Sequence, residues 1–220
     1  MPLKLSDDDV ATIEARIRAF EARTGAEAVT AVVDRSDHYH GLRWRAFALG
    51  VAVAAPAVIL SDMLRPDWIH AHAVLFAVGA VLIGGLACAL LATAWPAFER
   101  LFLQRVRAEA EALQRAKALF LARELTATRS RSCVLLFASR FERVAVVYGD
   151  RAYEGRVAPS EWQRVVEAMT ASFQQGDARS AFTAGLDAVE SMLVAKGFRG
   201  DGTSRNALPD RPFEPNVDER

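Results

Sequence analysis

Residues 71–98 read AHAVLFAVGAVLIGGLACALLATAWPAF, a stretch without a charged side chain apart from the titratable His72. One Arg or Asp at the centre of a bilayer costs about 2.5–3.5 kcal/mol on insertion scales. A run this clean, longer than the roughly 20 residues needed to cross the hydrocarbon, therefore reads as a transmembrane helix. Upstream, residues 46–61, AFALGVAVAAPAVILS, are also uncharged. This run is slightly short and reaches spanning length if Arg45 and Arg65 extend to the headgroups, with Asp62 at the same level. The competing reading is a buried helical hairpin of a soluble protein. Such a helix normally keeps some polar periodicity, and the second run has none.

The flanks agree with a hairpin. Trp44, Trp68 and Trp95 stand at the run edges, where interfacial aromatic belts form. Gly79, Gly84, Gly85 and Ala87 are small enough to allow close helix approach. Arg35, Arg43 and Arg45 precede the first run and Arg100, Arg105 and Arg107 follow the second, whereas the connection holds only Arg65 beside Asp62 and Asp67. The excess of arginine on the outer flanks predicts two spans in the cell's inner (plasma) membrane with both termini cytoplasmic. The acidic start, Asp7-Asp8-Asp9, has no apolar core of a secretory signal.

Composition says little beyond this. The formal net charge is zero, so nothing points to nucleic acid. Cys88 and Cys133 both sit in apolar contexts without a partner at metal-ligand spacing, and read as small buried hydrophobes.

Outside the hairpin the pattern is that of a soluble α/β domain in two pieces. Ser6 caps a helix with Asp7–Asp9 in its first turn and Val10, Ile13, Ile17 and Phe20 on one face; Gly25 ends it. Residues 28–33, AVTAVV, are apolar on both faces, as in an inner strand. After the hairpin a helix carries Leu101, Val106, Leu113, Phe120 and Leu121 to about Leu125. Residues 132–138 and 143–148 read as two strands with a tight connection, an antiparallel pair. Two amphipathic helices follow. Trp162, Val165, Val166, Met169 and Phe173 line the first, which Pro159 and Ser160 start and Gly176 stops. Phe182, Leu186, Val189 and Leu193 line the second, between an Asp177 cap and Gly197. A strand at 28–33 needs neighbours, so it is expected to join those at 132–148 in one sheet. The predicted parts are 1–43, the hairpin 44–98, 99–198, and a flexible Gly/Pro-rich tail at 199–220.

Several strings resemble the TPM domain family, in particular its membrane-anchored branch: Thr24-Gly25-Ala26-Glu27, Ser36-Asp37-His38-Tyr39, the stretch from Thr128 to Ser139, Glu142-Arg143-Val144 and Val147-Tyr148-Gly149-Asp150. Trp162, Phe173-Gln174-Gln175-Gly176-Asp177, Gly185-Leu186 and the tail string Asn206-Ala207-Leu208-Pro209-Asp210-Arg211 add to it. The resemblance implies a small α/β sandwich split by the inserted two-helix transmembrane hairpin. It also implies diverse biochemistry: some members are phosphatases and calcium binders, others assist membrane complexes. Two departures matter. Residues 149–155, GDRAYEG, replace the family's usual glycine pair and Leu-Thr-Asp string, and Cys133 replaces a glycine.

The densest group of potential ligands is Asp34, Asp37, His38 and His40, with Asp150 and Glu154 after a neighbouring strand. Oxygen donors of this kind suit calcium or another divalent metal such as magnesium, and the histidines would favour zinc. Asp34, Asp37 and Asp150 are the expected ligands if they converge at one edge of the sheet; otherwise they are solvated loop residues. Asp67, His70 and His72 form a smaller group in the connection, and Arg140 and Arg143 flank the strand turn, as an anion site or as solvated charge. No GxSxG, phosphate loop, HExxH or CxxC string occurs. The expected function is a membrane-anchored module that binds or stabilises a membrane-associated protein complex, with the bilayer and a protein as partners. The alternative is a metal-dependent phosphatase.

Overall fold

A computed structural model describes residues 5–37, 39–64, 73–125, 132–175, 177–200 and 210–214. The chain forms two compact units, Met1–Asp37 with Val106–Arg220, and His38–Arg105.

The first unit is built on a three-stranded sheet: β1 (Glu27–Val33), β2 (Cys133–Ser139) and β3 (Val144–Gly149), in the order β1-β2-β3. β1 runs parallel to β2, pairing Glu27 with Cys133 through Val33 with Ser139. β2 and β3 form the expected antiparallel pair, Val134 opposite Gly149 and Ser139 opposite Val144. Helix α1 (Asp7–Thr24) is capped as predicted: the Ser6 side chain accepts from the Asp9 amide, and Asp9 accepts from the Ser6 amide. Gly25 closes it in the left-handed region at φ 68°, where a side chain would be strained.

Alternation along the strands sends side chains to two layers. Ala28, Val32, Val134, Leu136, Ala138 and Ala145 face α1, α6 (Pro159–Gln174) and α7 (Ala178–Ala195), whose Ile13, Ile17, Phe20, Val165, Met169, Phe173, Phe182, Leu186 and Leu193 complete that core. Val29, Ala31, Val33, Cys133, Leu135, Phe137 and Val146 face α5 (Arg105–Ala122).

Two expectations change here. The inner strand is β2, not residues 28–33. β1 is apolar on both faces because helices cover both faces, which says nothing about its lateral place in the sheet. α5 does not bury the large stripe read from the sequence: Val106 and Leu121 are exposed, and Ala108, Ala112, Ala116 and Phe120 make the contact face. Alanine at three of these four positions makes the buried stripe of α5 one of small side chains. The two closing helices bury the predicted residues, and Asp177 caps α7 by accepting from the Ser180 amide. Gly176 lies outside the described residues.

The second unit is a helical pair, α2 (His40–Leu64) and α3 (Ala73–Ala94), followed by the short α4 (Pro96–Arg100). Both long helices are long and apolar enough to cross a membrane. They cross at glycine: a Cβ on Gly50 would lie 2.4 Å from the Gly84 carbonyl oxygen, and one on Gly85 would strike Phe47. Gly79 has open space around it and Ala87 is exposed, so neither takes part in the crossing. α3 stops at Trp95 because Pro96 forces the preceding residue to extended backbone, φ −126° and ψ 97°, before α4 starts. The predicted connection with Arg65, Asp67, Trp68, His70 and His72 lies outside the described residues.

Candidate functional site

At the C-terminal ends of β1 and β2, charged side chains satisfy one another. The Arg140 guanidinium donates to Asp34 Oδ1 at 2.7 Å and to Glu214 at 3.2 Å. The Glu142 carboxylate, buried in the turn before β3, accepts from the Ser36 amide at 2.9 Å and from the Ser139 hydroxyl. Arg107 lies 3.5 Å from Asp37, and the Arg35 guanidinium covers the Phe141 ring at 3.9 Å. Asp34 and Asp37, read from the sequence as ligands or solvated loop residues, are thus ion-paired. Arg140 is not solvated: its side chain is only 12% exposed. Arg143 holds φ at 54° where the turn reverses.

Asp150 is at the other end of the sheet. β3 runs antiparallel, so the residue following it lies beside the start of β2, where the Asp150 amide donates to the Cys133 carbonyl. Along a strand of seven residues, at about 3.3 Å each, the two carboxylates are roughly 20 Å apart. The expectation that Asp34, Asp37 and Asp150 meet at one edge is therefore corrected by strand direction. Glu154 is exposed beyond the short 3-10 turn at Arg151–Tyr153, which Asp150 caps. Among the described residues, no three His, Cys, Asp or Glu side chains form a group that could hold a metal ion. His38 and the side chain of His40 lie outside those residues.

The family model of the TPM domain matches residues 102–192, which run from before α5 into α7. The NMR structure of the BA42 protein from the psychrophilic bacterium Bizionia argentinensis sp. nov. superimposes with a TM-score of 0.57 at 14% identity, covering 96% of this chain and 94% of that one. The chain contains a TPM domain. No curated protein matches it.

In the sheet-based unit, the sheet end at Asp150 is acidic. Glu27, Cys133 and Asp150 form one row on the α5 face, and all three are buried. Burial, with the neighbouring carboxylates of Glu27, Asp150 and Glu21, pushes the Cys133 thiol up, so it stays protonated and inert as the sequence implied. Asp150 Oδ1 accepts from the Arg151 amide at 2.7 Å, while Oδ2 is buried with no hydrogen-bond partner among the described residues. The Tyr153 hydroxyl donates to the Ser132 carbonyl at 2.6 Å, and burial raises its pKa.

Glu21 went unnoticed in the sequence. It stands on the apolar stripe of α1, four residues after Ile17, and a carboxylate in a core position is the signal that could have found it. Burial raises its pKa to about 7, with Asp210 and Glu27 adding to the rise. The Ala28 amide donates to its Oε1 at 3.1 Å, so Glu21 caps the outer edge of β1 near its start. Farther along that edge Phe213 forms a parallel bridge with Ala31. Residues 210–214 thus lie at the edge of β1, where only a flexible tail was expected.

Proposed function

We propose that this chain is a membrane-anchored TPM module: α2 and α3 cross the cell's inner membrane, and the sheet-based unit binds a membrane-associated protein complex on the cytoplasmic side. The observation that carries the anchoring is the surface of the helical pair. Val53, Ile59, Val74, Leu75, Phe76 and Ile83 are all more than half exposed, while the crossing itself is made of glycine backbone. An apolar surface of that extent is costly in water and fits hydrocarbon. The arginines outside both runs support the orientation. Binding rather than turnover is supported by Asp34 and Asp37, whose carboxylates are already taken up by Arg140 and Arg107.

Membranes washed with alkaline carbonate should retain the protein, and protease added outside intact cells should leave its C-terminus uncut. Release by carbonate would end the anchoring reading. Purified protein should show no phosphatase turnover with calcium, magnesium, manganese or zinc that disappears in Asp34→Asn/Asp150→Asn. Such turnover would replace the binding module with a metal-dependent phosphatase.

A further inference from the structure

β1 is the outer strand on one side of the sheet, and a segment of the chain's own C-terminal region is seated on it. The Phe213 amide donates to the Thr30 carbonyl and the Val32 amide donates to the Phe213 carbonyl, both at 2.8 Å. Three arginines from three elements frame the segment. Arg123, just after α5, lies 3.6 Å above the Phe213 ring, whose body packs on the α5-side core. Arg140, from the β2–β3 turn, holds Glu214, and Arg18, on α1, holds Asp210 at 3.3 Å. The edge is thus equipped for an extended peptide with an aromatic side chain and a carboxylate on either side of it.

The resident segment makes shallow use of that equipment. Its bridge to the seven-residue strand is a single residue pair. Nine residues, 201–209, separate it from Gly200, whose amide is tied to the Arg23 carbonyl. Two backbone bonds, two ion pairs and the Phe213 ring between Arg123 and the α5-side core hold the segment, against the lost freedom of the residues that must be ordered. A partner strand with the same chemistry and a longer pairing to β1 is equipped to displace it. The nine-residue connection lets the segment reach its own edge, so a second copy is not needed to fill it.

We propose that the outer edge of β1, with Arg18, Arg123 and Arg140, is a docking site for an extended segment of a protein partner that carries an aromatic residue flanked by carboxylates, and that residues 210–214 are its built-in competitor. This is strand addition, in which backbone pairing supplies affinity and side-chain sockets supply selection. The proposal rests on the binding-module reading and names the partner's chemistry. Its test needs neither a membrane nor the native partner, so its failure would leave the anchoring result untouched.

The probe is a fluorescein-labelled peptide with the sequence of residues 207–216, ALPDRPFEPN, titrated by anisotropy into the full chain in detergent. Two variants loosen the resident segment, Phe213→Ala and Asp210→Asn/Glu214→Gln; amide hydrogen exchange of β2 and α7 confirms that each is folded. The peptide should bind at least one folded variant tenfold or more tighter than the wild-type chain. A peptide N-methylated at its phenylalanine, which cannot donate to the Thr30 carbonyl, should bind at least tenfold more weakly than the unmodified one. No binding to a folded, loosened chain, or equal binding of the N-methyl peptide, would overturn the proposal. A dimer of the wild-type chain that free peptide dissociates would assign the edge to a second copy, and would overturn the partner assignment too.

Discussion

Val32→Asp tests the central structural claim, that residues before the helical pair and residues after it form one core. Val32 is 1% exposed and shares its cluster with Ile17, Val134, Ala138 and Leu186. Removing the valine forfeits about 1.5–3 kcal/mol of burial. Placing a carboxylate there without a partner adds several kcal/mol more, whether the group stays charged or takes a proton. The sum, about 4–6 kcal/mol, is comparable with the whole stability of many small domains, about 5–15 kcal/mol. Val32→Ala removes two methyl groups and creates a cavity, for about 2 kcal/mol. The assay is amide hydrogen exchange in detergent, read peptide by peptide. In Val32→Asp, protection should collapse in β2 and in α7, more than 100 residues downstream, and Val32→Ala should show a smaller loss in the same peptides. If residues 5–37 lost protection while β2 and α7 kept theirs, the two pieces would not share a core.

Two further outcomes follow from single sites. Glu21 is neutral in the fold up to about pH 7 but ionises near 4.5 when unfolded, so the stability that its buried neutral form contributes is complete below pH 4.5 and is lost as pH rises through 7; Glu21→Gln should lessen the fall in melting temperature between those values, and an unchanged profile would refute the assignment. Gly50→Val should open the α2–α3 crossing and lower thermal stability in detergent, because its Cβ would meet backbone at Gly84 and Gly85, while Gly79→Val, with open space around it, should be neutral; equal effects would show that the glycines do not set the crossing.

The sequence revealed which segments are helix and which are strand because period and punctuation agree in most of them. Ser6, Gly25, Asp177 and Gly197 sit where caps and stops belong, and the core stripes of α1 and α7 are regular. Lateral order in the sheet was less legible: burial on both faces is the same for an edge strand between helices as for an inner strand, so residues 28–33 gave no warning of an open side. α5 misled for a related reason, since alanine scores weakly in an apolar pattern yet makes most of its buried face. The ligand set failed on direction. Each of Asp34 and Asp150 follows a strand, which sequence shows, but opposite strand senses put them at opposite ends of the sheet, which sequence does not. Arg140 looked like a free charge because its partners, Asp34 and Glu214, are 106 and 74 residues away.

The place of the insertion explains why a helical pair can interrupt a small sheet domain. Parallel β1 and β2 require a crossover that returns the chain to the start of β2, and α5 with its flanks supplies it. The helical pair enters that crossover after β1 and before α5 has run back. On either side of the interruption, Asp37 and Arg107 form an ion pair, so the sheet-based unit closes its own chain break. A flexible loop costs only about 0.6 kcal/mol for each doubling of its length, and a folded insertion whose ends emerge together costs less conformational freedom than a coil of equal size. The sheet unit therefore loses little by hosting the pair. In return, the pair is joined to it by two chain connections, one on each side of the interruption.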